Sequence, residues 1–349
     1  MRALTVVPHR PGSLAVTDVP EPHAAPGDLL VDGLAVGVCG TDKEIAAGNY
    51  GWAPPGRDRL VLGHESLGRV VSAPDDRGFA AGDLVVGVVR RPDPEPCGAC
   101  AHGQFDMCRN GRYTERGIKE LDGYSSVRWT VEADYAVRLD PRLCDVGMLM
   151  EPTTVVAKAW DEVQRIGARA WFEPRNVLVT GAGPIGLLAA MLGVQRGLDV
   201  HVLDRVPAGA KPDLVADLGA TYHCDDIDTV LAKLVPDVVI EATGVSALVL
   251  AAMAGTASYG IVCLTGVSSG GRRLTVDAGT LNREIVLEND VVVGSVNANL
   301  RHYALAAQAL AAADLGWLTR LVSRRVPLER FAEAFTAQPD DVKVVITLQ

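Results

Sequence analysis

The tightest constraint on this chain lies at residues 176–186, where N-V-L-V-T-G-A-G-P-I-G joins a short aliphatic run to a glycine-rich turn. Val177, Leu178, Val179 and Thr180 read as a strand that stops at Gly181, and residues 187–194 read as an apolar helix. A strand, a G-x-G-x-x-G turn and a helix in that order form a cradle for a dinucleotide pyrophosphate. Gly181 makes the turn, Gly183 lets backbone approach the phosphates, and Gly186 lets helix and strand pack closely. The helix opens at Pro184 and Ile185, so its N-terminal turn faces the same anion. Residues 177–194 are apolar over a length that could cross a bilayer, but Thr180, Pro184 and four glycines interrupt them. Strand, turn and buried helix account for them better.

Beyond the turn the rhythm alternates. Strand-like runs at 177–180, 200–203, 221–224, 238–241, 261–265 and 291–294 are separated by helix-compatible segments such as 212–218 and 247–254. Six strands so connected predict an α/β fold with a doubly wound, parallel, six-stranded sheet. Residues 1–90 differ: runs at 2–7, 13–18, 29–38, 67–72 and 84–89 are bounded by Pro, Gly and Asp and predict a compact β-rich domain. A helix is expected at 155–166, two more at 301–313 and 328–336, and a last strand at 342–348 that returns to the first domain. The expected domains are therefore 1–152 with 301–349, and 153–300.

Asp204 ends the second strand of the sheet, about 20 residues past the turn, where a carboxylate hydrogen-bonds adenosine ribose hydroxyls and repels a 2′-phosphate. This predicts NAD as the preferred cofactor. Arg205 follows directly and leaves NADP open.

The formal charge of −10 comes with no basic cluster, which excludes nucleic acid and anionic membranes as expected partners. The first eight residues lack a signal-peptide core, and an odd count of seven cysteines suits a reducing compartment, so a cytoplasmic protein is expected.

Two constellations carry chemistry. The first is Cys39-Gly40-Thr41-Asp42 with Gly63-His64-Glu65 and Glu151-Pro152. A thiolate, an imidazole and carboxylates make a tetrahedral zinc site, which in a catalyst keeps one position open. The second is Cys97-x-x-Cys100 with Cys108 in a Gly/Pro-rich stretch, which favours structural zinc over a redox pair because no thioredoxin-like unit surrounds it. A closed site needs a fourth donor. Asp106 is expected to supply it, with His102 as the other choice. Cys144, Cys224 and Cys263 read as core residues.

The chain resembles the zinc-dependent medium-chain alcohol dehydrogenases over its whole length. The resemblance is carried by G-H-E-S-L-G-R-V at 63–70, C-G-T-D at 39–42, G-D-L-V-V at 82–86 and the G-A-G-P-I-G turn. Within that family it is most similar to the glucose (aldose) 1-dehydrogenase branch. The closer match is carried by V-R-R-P at 89–92, R-Y-T-E-R-G-I at 112–118 and the L-x-E-P run at 149–152. D-A-G at 277–279 with N-R-E at 282–284, and G-S-V-N at 294–297, add to it. The resemblance implies a Rossmann sheet beside a GroES-like catalytic domain, and a homodimer or homotetramer. It also implies a catalytic zinc held by Cys39, His64, Glu65 and Glu151, some directly and some through water. By the same resemblance Thr41 relays the substrate proton. Glu115 and Asn297 hold sugar hydroxyls, with Thr41 and Glu151 also at the substrate. Thr243, Gly266 and Asn297 join the turn in holding the cofactor. The implied reaction is oxidation of an aldose to its lactone. The rival enzyme reading is oxidation of another polyol, secondary alcohol or sugar-derived metabolite. The rival of another class is a nucleotide-binding or redox-sensing protein without turnover, which would have no need of the full ligand set.

Overall fold

The computed structural model describes every residue except 269, 271 and 272. Two compact units emerge, Met1–Glu151 with Ala298–Gln349, and Pro152–Asn297.

The first unit is built on a seven-stranded sheet. Its order runs Ala136–Arg138, Leu84–Gly87, Glu65–Ser72, Asp28–Val38, Lys343–Thr347 and Val322–Pro327, with Arg128–Glu132 also paired to Asp28–Val38. The Asp28–Val38 strand explains itself from sequence. Its first half alternates buried with half-buried residues, and its last four residues are buried on both faces just before Cys39. Leu29, Val31, Val36 and Val38 pack with Val70, Val85, Trp129, Val344 and Ile346 in one core. The Lys343–Thr347 strand runs antiparallel to Asp28–Val38, with Val344 opposite Val38, so the end of the chain closes the first unit.

The second unit is a wholly parallel six-stranded sheet in the order Thr221–His223, Asp199–Leu203, Asn176–Thr180, Val238–Glu241, Ile261–Leu264 and Val291–Gly294. Its central strands are buried on both faces, as a parallel sheet between two helix layers requires. Strand order reverses between Asn176–Thr180 and Val238–Glu241, and ligands of such sheets bind at the carboxyl ends beside that reversal.

Three elements depart from the sequence expectations. A helix at Leu315–Leu321 and a strand at Val322–Pro327 occupy a stretch expected to carry neither. Three consecutive polar residues, Ser323, Arg324 and Arg325, break any apolar alternation in the strand and concealed it, and Arg324 is anchored on Asp341 by 2.7 and 3.0 Å bonds. The Met150–Gly167 helix starts earlier than expected, which puts Glu151 in its first turn. Residues 298–300 belong to the first unit and not to the second as expected. Asn299 caps the Leu300–Ala312 helix and donates a 2.8 Å bond from Nδ2 to Asp106, tying the segment there. Among the cysteines read as core, only Cys263 is buried. Cys144 follows a short surface turn and Cys224 follows the last residue of an edge strand, and both are exposed.

Candidate active site

The first unit brings Cys39, His64 and Glu65 together, with one donor atom of each within 4.8 Å of the others. Cys39 caps the Gly40–Ala46 helix at the end of the central strand, and its N–H donates to Asp42 Oδ2 at 2.8 Å. The same aspartate turns its other oxygen to within 3.4 Å of His64 Nδ1. Both of those atoms are buried and lack a completed hydrogen bond. An imidazole oriented by a carboxylate on one nitrogen presents the other as a metal ligand. Burial acts to lower the His64 pKa, but the closely placed Asp42 and Cys39 outweigh it and hold the ring well above its usual value. Sequence reading assigned Asp42 no role, although its place three residues after Cys39 has the spacing of a capping box.

Glu65 is almost completely buried and is gripped by Lys343, whose Nζ lies 2.7 and 2.6 Å from its two oxygens. Room for that carboxylate depends on Gly37 on the neighbouring strand. A Cβ there would stand 1.9 Å from Glu65 Oε2. Burial pushes the nearby Glu151 carboxyl up to about 7; Glu65 and Asp42 add to the rise, while His64 and Lys343 oppose it. Thr41, half-buried, occupies the second position of the helix capped by Cys39. The thiol, the oriented imidazole and the Glu65 carboxylate suit zinc; Glu151, also expected as a ligand, is not among the three whose donor atoms converge.

In the second unit Gly181 has a φ of 93° and its N–H donates to Leu203 O at 2.7 Å, which bends the chain from strand into turn. Gly183 precedes the Pro184–Gln195 helix, and the site of its absent Cβ has no atom within 4 Å. Gly186 is the opposite case: a Cβ would lie 1.8 Å from Gly181 O. Pro184 and Ile185 are half-buried at the helix start. The Asp204 carboxylate accepts from the N–H of Ala182 at 2.7 Å and of Val206 at 3.2 Å, with Lys211 Nζ at 3.4 Å. Arg205 is exposed. Thr243 and Gly266 meet around Glu241, a fully buried carboxylate that accepts from Thr180 Oγ1 and from the N–H groups of Thr243 and Gly244. The start of the Pro184–Gln195 helix, capped by Gly183, is where a dinucleotide pyrophosphate would find backbone donors.

Comparison with known proteins gives the family. Residues 144–348 match the family described as glucose dehydrogenase C-terminus, and residues 25–141 match the alcohol dehydrogenase GroES-like domain. The chain is 41% identical to a glucose 1-dehydrogenase of Thermoproteus tenax, with all of both chains covered. It is 37% identical to one of Methanocella arvoryzae, covering 100% of this chain and 99% of that one. The chain belongs to the glucose dehydrogenase branch of the zinc-dependent medium-chain alcohol dehydrogenases. Among solved structures it is similar to Haloferax mediterranei glucose dehydrogenase in complex with NADP, Zn and gluconolactone, with a TM-score of 0.92 and 34% identity over 100% of this chain and 99% of that one.

The branch-specific V-R-R-P run now has a physical role. Arg90 and Arg91 are both buried. Arg90 donates from Nε and Nη2 to Glu115 Oε1 at 3.0 and 2.9 Å, and its guanidinium stacks 3.7 Å from the Tyr113 ring. Glu115 is therefore a buried, oriented carboxylate and not the surface charge its neighbouring arginines suggest. Asn297 sits in the second unit with φ 61°, a left-handed conformation that Asn tolerates, and the preceding Val296 carbonyl accepts from the buried Lys158 at 2.9 Å.

Arg91 is paired with Glu132 at 3.1 and 2.6 Å. Burial works to raise the Glu132 pKa, but the bonds and charge of Arg91, with Arg116 beyond, bring it down to about 2 from an ordinary 4.5. A depressed carboxylate adds stability above its unfolded pKa, and that contribution is lost as pH falls through the folded value. Discounted for the exposure of Glu132, the contribution is roughly 1–2 kcal/mol. Glu132→Gln is expected to melt about 4 °C lower than the parent at neutral pH. The gap should narrow as pH falls from about 4.5 toward 2; a gap independent of pH would rule out this origin.

The cysteine lobe corrects one expectation. Cys97, Cys100 and Cys108 lie with their Sγ atoms within 4.8 Å of one another. Asp106, expected as the fourth ligand, turns away. Its Oδ1 accepts from Asn299 Nδ2, and Oδ2 lies 3.9 Å from His302 Nδ1. Both partners lie nearly 200 residues along the chain, so local spacing could not reveal that the carboxylate was already engaged. His102, the other choice, is exposed with Nδ1 bonded to Gly98 O at 2.7 Å.

Proposed function

We propose that this protein is a zinc-dependent dehydrogenase that oxidises an aldose of the glucose type at its C1 hydroxyl to the lactone, with a nicotinamide dinucleotide as hydride acceptor. The observation that carries the reading is the assembled Cys39–His64–Glu65 set with Asp42 behind the imidazole. A nucleotide-binding protein without turnover has no use for such a set. Zinc, when held there, lowers the pKa of the hydroxyl being oxidised. Asp42 keeps His64 in orientation, and Lys343 balances the charge of Glu65. Thr41 carries the hydroxyl proton away from the buried set. Glu115, fixed by Arg90, accepts hydrogen bonds from sugar hydroxyls. In the second unit the turn 181–186, Thr243 and Gly266 hold the cofactor, and Asn297 serves both cofactor and sugar.

Asp204 supports NAD as the better cofactor, and Arg205 and Lys211 leave NADP usable. The test is a panel of aldoses, polyols and secondary alcohols with both cofactors. An aldose is expected to give the highest kcat/KM, with the lactone as product, and NAD to exceed NADP. A better polyol or secondary alcohol would overturn the substrate, and higher kcat/KM with NADP would overturn the role of Asp204.

A homodimer or homotetramer is the assembly this reading entails. The Val291–Gly294 strand ends its sheet with one edge unpaired among the described residues. Val286, Leu287 and Val296 lie more than 60% exposed near it in sequence, an apolar surface of the kind subunits cover. Light scattering on the purified protein should return at least twice the chain mass, and a monomer would refute it. Among the described residues no helix is long and apolar enough to cross a membrane. With all seven cysteines free, the cytoplasm is the proposed compartment.

A further inference from the structure

The cysteine lobe brings three thiols together and, among the described residues, no fourth metal-binding side chain with them. Cys97 precedes the short Gly98–Ala101 helix, Cys100 lies within it, and Cys108 follows the Phe105–Met107 turn, so three thiols converge from one short stretch. Zinc–sulfur bonds of about 2.3 Å in a tetrahedron put sulfurs a little under 4 Å apart, which three thiols within 4.8 Å reach with slight adjustment.

The fourth donor is what the lobe lacks. Its remaining acids have other partners, and its histidine stands outside the cluster. Asp93 is buried and accepts from Asn110 Nδ2, Arg112 Nε and the N–H of Glu95. Glu95 pairs with Arg112 at the surface. Asp106 is held by Asn299; His102 bonds Gly98 O through Nδ1 alone, and neither of its ring nitrogens joins the three thiols. Among the described residues no fourth Cys, His, Asp or Glu joins the cluster. Cys100 is buried, while Cys97 and Cys108 are half-buried, so the cluster has a side that faces water.

We infer that Cys97, Cys100 and Cys108 form an open three-thiolate metal site whose fourth position is taken from solvent, by water or by a small thiol or imidazole. Three thiolates on a divalent ion leave one net negative charge. The Arg109 N–H donates to Cys97 Sγ at 3.4 Å and would face that charge. The site rests on the lobe binding metal and does not depend on the catalytic zinc, so the two readings fail separately. An open position also sets the lobe apart chemically. Small ligands exchange on its metal, whereas a site closed by four protein ligands is indifferent to them.

Metal analysis of the intact protein is expected to give about two zinc ions per chain, falling to about one in Cys100→Ser, with Cys108→Ser as the second variant should the first not fold. Asp106→Asn and His102→Ala are expected to keep both ions. In the His64→Ala protein loaded with cobalt(II), the visible spectrum of the lobe is expected to shift on adding 2-mercaptoethanol or imidazole. About one zinc per chain in the parent and the same in the cysteine variants would remove the site while leaving the catalytic zinc in place. A second ion lost from Asp106→Asn or His102→Ala, or a cobalt spectrum unchanged by both ligands, would show that the protein closes the site and would overturn the inference.

Discussion

His64→Ala is expected to lower kcat/KM by on the order of 10³-fold or more, about 4 kcal/mol of transition-state stabilisation. The imidazole lies between Cys39 and Asp42 with one nitrogen already facing a carboxylate, so its other nitrogen is the ligand the set loses. Removing it leaves a thiol and carboxylates, too few donors to hold zinc against water and chelators. Without the ion, the sugar hydroxyl must give up its proton at close to its own high pKa. Zinc content should fall by about one ion per chain in parallel. NAD affinity should stay within about threefold of the parent, because the turn at 181–186 is built from other residues altogether. Turnover within tenfold of the parent in a variant that has lost the ion would refute the zinc mechanism.

Lys343→Met carries the second large effect, on stability. Lys343 and Glu65 are both nearly inaccessible to water, and each Glu65 oxygen receives a bond from Nζ, which also donates to Val38 O at 3.2 Å. Removing one member of a buried ion pair strands the other charge and costs about 3–5 kcal/mol. In zinc-free protein the melting temperature is expected to drop by on the order of 10 °C. Lys343→Met with Glu65→Gln should recover more than half of that, since no charge is then stranded. Zinc should narrow the gap between parent and single variant by binding the folded state and supplying positive charge beside Glu65. A loss under about 2 °C in the zinc-free single variant would mean that Glu65 finds another partner or stays protonated, and the pair would have no structural weight.

These two predictions divide along what could be read in the chain. His64 stood in a recognisable run beside Cys39, and the glycine turn announced itself through strand, glycine spacing and helix. Each of these runs, G-H-E around His64, C-G-T-D at Cys39 and the glycine turn, is a local pattern read within a dozen residues. Lys343 is 278 positions from Glu65, and nothing near it in sequence distinguishes it from a surface lysine. The same holds for Arg90. Arginines are mostly exposed, and its burial follows from a carboxylate 25 residues on that the fold brings against it. Asp106 failed as a predicted ligand for the same reason in reverse: it lies beside Cys108 in the chain, but Asn299 claims it. The missed Val322–Pro327 strand is held in place by pairing with the last strand and by Asp341, and not by its own hydrophobic alternation.

The amino-acid sequence by itself determined the six-stranded nucleotide-binding sheet, the glycine turn and the residue types of a zinc site, because those depend on short-range spacing and on which side chains can bind what. Only the tertiary structure decided which charges are buried and with whom. It put Asp42 behind His64, Lys343 on Glu65 and Arg90 on Glu115, and it left the three-cysteine lobe without a fourth protein ligand among the described residues. Those outcomes turn on desolvation. A charge is stable inside a protein only beside a partner, and the partner is chosen by the fold from anywhere in the chain.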